Sequence, residues 1–222
     1  MDRRLRHHLA TWLGQWPTTR PLQVVGSHRR TIPGWDDHIH PAIGVACPLG
    51  EVLSVPPETT ADVRKLASQG PEALHDGLPA AVGYPHLQLA RAVFRWCEHP
   101  APLPPIGHWV GADEPGVPAW LRVFGGDVLI SRDPDTGAYL AGVGIKRHSS
   151  DGREISVGTA EEARGRGLAR ALVAQAAQRI LDEGAIPTYL HDPANTASAR
   201  VADAAGFPDE GWTCRFLVPP PA

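Results

Sequence analysis

Between Arg153 and Asp182 the sequence changes its period within a few residues. "REISVGT" (Arg153–Thr159) reads as a strand. From Leu168 onward, Leu168, Leu172, Val173, Ala176 and Ile180 recur at three and four residues, as on one face of a helix. Between the two lies "EEARGRGLA", with glycines at 165 and 167 and arginines at 164 and 166, and Arg170 follows it. The stretch thus follows an extended strand and opens a long helix, as in a layered α/β sheet with short connections. The start of such a helix carries unpaired N–H groups and the positive end of the dipole, which together attract anions. Glycines, having no Cβ, let an anion approach the backbone closely. Taken alone, the stretch fits either a charged helix cap or a phosphate cradle.

The flanking sequence supplies the context. Asp127–Asp133 and Ala138–His148 read as a hairpin about Pro134-Asp135-Thr136-Gly137. Arg153–Thr159 follows as a third strand. The helix is expected from about Gly165 to Asp182, with Gly184 as its stop. A strand at Pro187–His191, a helix at Thr196–Ala205 closed by Gly206, and a strand at Trp212–Val218 complete the order β-β-β-α-β-α-β. Upstream, a helix is expected at Arg3–Trp16 and strands at Leu22–Gly26, Ala42–Cys47 and Glu51–Val55. Further helices are expected at Thr60–Gln69 and His86–Cys97. The proline-rich run His99–Gly107 reads as a linker. It would divide an N-terminal α+β region (1–105) from a second domain (106–222). The expected class is α/β, an α+β layered arrangement.

Composition narrows the partners. The chain has 222 residues, 42% of them hydrophobic, enough for a substantial core. Its formal charge of −3 gives no electrostatic case for nucleic acid or an acidic membrane. Cys47, Cys97 and Cys214 are far apart, lack metal-site spacing and are odd in number, which argues against a disulfide framework. His38 and His40 alternate within "PGWDDHIHP" as metal ligands can, but no third ligand is evident, so no metal is expected. The basic residues near Met1 are followed by no apolar run, and no stretch approaches the ~18 apolar residues of a membrane span. A soluble cytoplasmic protein is expected, as a monomer or homodimer.

Two nucleotide motifs are excluded. The Gly-Lys-Ser/Thr of a Walker A loop is absent. A dinucleotide fingerprint would need a small residue where Arg170 stands. Arg164-Gly165-Arg166-Gly167-Leu168-Ala169 instead resembles the R/Q-x-x-G-x-G/A signature of the GCN5-related N-acetyltransferases. Asn195, Ser198, Gly206 and Phe207 resemble that family's second cofactor segment, and the resemblance covers about residues 108–218. It implies a mixed, mainly antiparallel sheet flanked by helices, here with an N-terminal α+β extension. It also implies acetyl-CoA as co-substrate, with its pyrophosphate on the turn from Arg164 to Ala169. The pantetheine arm would lie along Val157, Gly158 and Thr159, and Asn195 and Ser198 would complete the site. Asn195 reads equally as a helix N-cap.

The implied reaction is attack of a neutral primary amine on the thioester, in a ternary complex. Attack by an amine calls for a general base, and Glu154 is one candidate, with His148 as an alternative. Family members often place a glutamate eleven residues before the first arginine of the motif; here that position is Arg153, and Glu154 is ten before. A tyrosine commonly stands seven residues after the asparagine; here Ala202 stands there, and Tyr189 is an alternative acid. A small-molecule amine or a peptide would be the acceptor. A non-catalytic acyl-CoA-binding or sensing module and a protein-directed acetyltransferase are the alternatives. The N-terminal region is expected to shape the acceptor side.

Overall fold

The computed structural model describes residues 1–220. In chain order the elements are α1 (Arg3–Leu13), β1 (Leu22–Gly26), β2 (Ile43–Cys47), β3 (Gly50–Val55), α2 (Thr60–Ser68), α3 (Pro71–Ala81) and β4 (Gln88–Trp96). There follow β5 (His108–Gly111), α4 (Ala119–Arg122), β6 (Asp127–Arg132), β7 (Tyr139–Arg147), β8 (Gly152–Thr159), α5 (Leu168–Asp182), β9 (Ile186–His191), α6 (Thr196–Ala205) and β10 (Thr213–Val218). Short 3₁₀ turns lie between some of them. The mixed sheet flanked by helices matches the architecture expected from the sequence. Among the described residues no helix is long and apolar enough to cross a membrane.

The chain forms two units. One holds Met1, Arg6–Phe94 and the segment from Gly211 onward; the other holds Asp2–Leu5 and Arg95–Glu210. In the first, the strands run β1-β3-β2-β10-β4, with β1 parallel to β3 and the other pairs antiparallel. Its core gathers Val24, Leu53 and Val55 from the strands with Val63, Leu74 and Leu78 from α2 and α3. The helix expected at His86–Cys97 is here the strand β4. Its leucine, alanine and arginine favour a helix locally. Antiparallel pairing with β10, from Gln88↔Val218 to Val93↔Thr213, decides otherwise.

In the second unit the strands run β9-β8-β7-β6-β5. β8 and β9 are parallel and the rest antiparallel. Helix α5 covers one face: Leu172, Val173, Ala176 and Ile180 are buried against Ala141, Val143, Ile145 and Ile155. Each large apolar side chain so buried contributes about 1.5–3 kcal/mol. The run His99–Gly107 has no regular structure, as expected, yet it is packed rather than free. Gln175 of α5 accepts from the N–H groups of Ile106 and Gly107 and donates to Gly107 O at 2.9 Å. Leu103 and Ile106 join the core.

The opposite face of β7 and β8 is paved with glycine. Cross-strand partners there are Gly142↔Gly158, Gly144↔Ser156 and Lys146↔Glu154. The missing Cβ atoms let α4 and the residues after it rest on the strands. A Cβ at Gly142 would lie 2.7 Å from Leu121, one at Gly158 2.8 Å from Trp120, and one at Gly144 would collide with the Phe124 ring. Gly144→Val should therefore overpack this layer and destabilise the protein by about 1–3 kcal/mol. Denaturant unfolding measures this, and an unchanged midpoint would contradict the packing described.

Candidate functional site

β8 has two neighbours along only half its length. β7 pairs with it from Arg153 to Thr159, whereas β9 pairs with it only from Gly152↔Ile186 to Ile155↔Tyr189. Beyond Ile155 the two parallel strands part. Ala160 N–H donates to Leu140 O at 2.8 Å. In an antiparallel ladder, residues of the same parity, such as Gly158, therefore face β7. Val157 and Thr159 aim their N–H and C=O groups at the opened edge.

The opened edge leads to the start of α5. Gly165 and Gly167 have φ of 77° and 78°, a left-handed conformation that favours glycine. Gly167 is the N-cap and has no side chain with which to satisfy the first helical N–H groups. One cavity of about 850 Å³ joins these features. It is lined by Val157, Gly158 and Thr159 of β8, by the turn from Arg164 to Ala169, and by Asn195 and Ser198. All eleven residues that the sequence suggests for a cofactor thus meet in one place. Asn195 is also the N-cap of α6, its side-chain oxygen accepting from Ser198 N–H at 2.9 Å. Ala163, Arg170, Ala197, Arg200, Val201 and Ala204 line the same cavity and lie outside the residues that the two motifs name. The α6 members recur at helical spacing after Asn195, a signal that could have found them.

A second cavity, of about 300 Å³, adjoins on the glycine-paved face of β7 and β8. Val157, Tyr189 and Ser198 line both. Tyr189 is almost fully buried, and its hydroxyl shares a 2.8 Å hydrogen bond with Ser198 Oγ. Burial raises its pKa above the ordinary phenol value, against the opposing effects of Ser198 and Arg95, so the phenol stays protonated at neutral pH.

Glu154 faces this second cavity. Arg153, which occupies the family's usual glutamate position, pairs with Glu183 instead. Glu154 is buried, with Oε1 accepting from Lys146 Nζ at 2.5 Å and Oε2 lying 2.9 Å from His148 Nε2. Burial alone would raise its pKa. The Lys146 charge and the His148 hydrogen bond outweigh it and hold the carboxyl at about 2. Glu154 is thus a strongly paired carboxylate and by itself a weak base. His148 stands behind it and does not line the cavity. Ala202 is fully buried in the core.

The remaining polar motifs lie elsewhere. His38 Nδ1 lies 2.6 Å from Asp36 O, and His40 Nε2 lies 3.0 Å from Asp36 Oδ1. They sit in a turn region rather than on a strand. Among the described residues no group of three or more His, Cys, Asp or Glu could hold a metal ion. None of the three cysteines is in a disulfide, and burial pushes the Cys97 thiol up to about 12, far from a reactive thiolate.

Comparison with known proteins gives similarities for this region of the chain. A family model described as FR47-like protein matches residues 133–217. An acetyltransferase from the GNAT family of Colwellia psychrerythraea superposes with a TM-score of 0.50 at 15% identity, over 74% of this chain and 75% of that one. A protein assigned to the same family from Novosphingobium aromaticivorans is 21% identical, with a TM-score of 0.48 over 59% of this chain. This chain covers 64% of that relative, less than two thirds of its length. A GCN5-related N-acetyltransferase-like protein from Streptococcus suis is 19% identical, with a TM-score of 0.47 over 76% and 79% of the two chains. No curated protein matches. Over residues 133–217 the chain is similar to FR47-like proteins, and its fold is shared with the GNAT-family acetyltransferase of Colwellia psychrerythraea.

The Glu154 cluster makes a prediction about stability. Its folded pKa, about 2, lies below its ordinary value of 4.5. The associated stability is therefore fully present above pH 4.5 and lost as pH falls through 2. Between those limits the stability of the native protein should fall relative to Glu154→Gln by a few kcal/mol, on the order of 1.4 kcal/mol for each pH unit crossed. Denaturant titrations at several pH values read this slope; parallel curves for the two proteins would refute it.

Proposed function

We propose that this protein is an N-acetyltransferase that moves the acetyl group of acetyl-CoA to a primary amine by direct attack in a ternary complex. The observation that carries this reading is the joining, in one cavity, of an unpaired strand edge and an uncapped helix start. The edge offers alternating donors and acceptors at Val157 and Thr159, which suit the amides of a pantetheine arm. The helix start, with Arg164, Arg166 and Arg170 beside it, suits a pyrophosphate. No metal enters the scheme.

In this reading the second cavity receives the amine. The amine nitrogen bonds to the thioester carbonyl carbon, and the Val157 N–H supports the oxyanion. As the carbon–sulfur bond breaks, the Tyr189 hydroxyl supplies a proton to the departing thiolate, a role that Ala202 cannot fill. The proton lost by the amine passes to the Glu154–His148 pair: Glu154 faces the cavity, and His148 shares the proton from behind. A second reading, acyl-CoA binding without turnover, draws on the low basicity of Glu154 and on Ala202.

Two experiments test the proposal. Arg170→Glu reverses a charge at the cavity without altering a left-handed glycine. CoA affinity in calorimetry should fall roughly tenfold with the melting temperature unchanged; undiminished affinity would remove the central claim. Tyr189→Phe should lower kcat by about a hundredfold while CoA affinity stays within about twofold. Tight CoA binding with no thiol release on any amine would favour the binding module instead.

A further inference from the structure

We infer that the free edge of β1 is a docking site for an extended acidic peptide, which adds to the sheet of the N-terminal unit as a further strand. This goes beyond the transferase reading and does not depend on it. β1 is the terminal strand of its unit, and β3 is its only strand partner among the described residues. Pro21 O accepts from Glu51 N–H at 2.9 Å, and Ser27 N–H donates to Val55 O at 2.8 Å. Pro21, Ser27 and the alternate residues between them thus turn their main-chain groups toward β3, and Leu22, Val24 and Gly26 turn theirs outward. Arg64 shows the same parity, its Nη2 donating to Val24 O at 3.0 Å from outside the sheet. Apart from that bond, the outward N–H and C=O groups of the three residues have no partner among the described residues. Such a row is a template for another strand.

A cavity of about 760 Å³ lies along this edge. All five residues of β1 line it, with Gln15 and Arg20 before the strand and Arg64, Ala67 and Ser68 from α2. Charge selects the occupant. Arg20 and Arg64 are the charged residues of the lining, and no carboxylate accompanies them. Both are exposed, and neither guanidinium has an ion-pair partner among the described residues. The bond to Val24 O anchors Arg64 at the midpoint of the strand and leaves its other N–H groups for a carboxylate. Val24 O has a second lone pair with which to accept from an incoming N–H. Val24 is buried with Val63, Leu74 and Leu78 of α2 and α3, so its side chain points to the helical face. An incoming residue opposite Val24 presents its side chain on that same face, the side from which Arg64 comes. Ala67 and Ser68, three and four residues beyond Arg64, are small and leave room there. A second copy of the chain fits poorly. Antiparallel self-pairing centred on Val24 would bring two Arg64 guanidiniums together, and like charges set opposite each other are destabilising.

The test uses the full chain and the fluorescence anisotropy of labelled peptides. The probe is Glu-Val-Glu-Val-Glu, blocked at both ends, whose glutamates stand opposite Leu22, Val24 and Gly26. It should bind about tenfold more tightly than Lys-Val-Lys-Val-Lys. N-methylation of its glutamates removes the N–H groups turned toward β1 and keeps the charge; it should also cost about tenfold. Arg64→Glu should invert the preference, so that the lysine peptide binds better, with the melting temperature little changed because Arg64 is exposed. Arg64→Gln, which keeps a donor for Val24 O, should bring the two peptides within about threefold of each other. Equal binding of the two peptides to the native protein, indifference to N-methylation, a preference unchanged by substitution at Arg64, or no binding at millimolar peptide would each overturn the inference. A dimer of the protein alone, seen by analytical ultracentrifugation and altered by substitution at Arg64, would give the edge to a second copy and overturn it too.

Discussion

The site depends on one broken partnership. β8 keeps β7 as a neighbour to its end but loses β9 after the Ile155↔Tyr189 pair. Backbone N–H and C=O groups rarely go unpaired in a protein interior. A strand that parts from its neighbour in mid-sheet must therefore expose those groups to solvent or to a ligand. Here the opened edge leads to a helix start whose own N–H groups lack a side-chain cap. Two sets of unsatisfied donors thus share one cavity, and α6 supplies its other wall.

Around that opening the sheet divides its labour between faces. Ala141, Val143, Ile145 and Ile155 bury their side chains under α5 and hold the strands in place. The other face carries Gly142, Gly144 and Gly158, where α4 and Phe124 can rest on bare backbone. At the far end of the pavement Lys146 and His148 grip Glu154. A buried carboxylate held by two partners is well ordered, and removing one partner would leave the others uncompensated. Basicity is what it gives up, and this is why the base is assigned to the Glu154–His148 pair.

Sequence and structure agree best where local pattern suffices. The β6–β7 hairpin, β8, the glycine turn, α5 and α6 fall within a few residues of their expected bounds, because turn chemistry and apolar period specify them. The strand at Gln88–Trp96 reads as a helix from its own residues, because its partner β10 lies more than a hundred residues away. The short elements β5 and α4 and the helix α3 carry too few periodic residues, or too plain a pattern, to stand out. Within the site, the glycines and arginines announce themselves by spacing. The partners of Glu154 do not: Lys146 and His148 reach it across the β7–β8 register, which no linear motif encodes.

By itself the sequence determined a strand, a glycine turn and two helices in a fixed order, and through them the resemblance of the C-terminal region to a known family. These features arise from interactions among residues near one another in the chain. Tertiary structure alone decided that β8 and β9 separate after Ile155, that Tyr189 faces two cavities, and that β10 joins the strands of the N-terminal unit. It also decided that Glu154 is a clasped carboxylate. Those outcomes turn on which distant strands pair and where the pairing stops, and on the electrostatics of groups that only the completed sheet brings together.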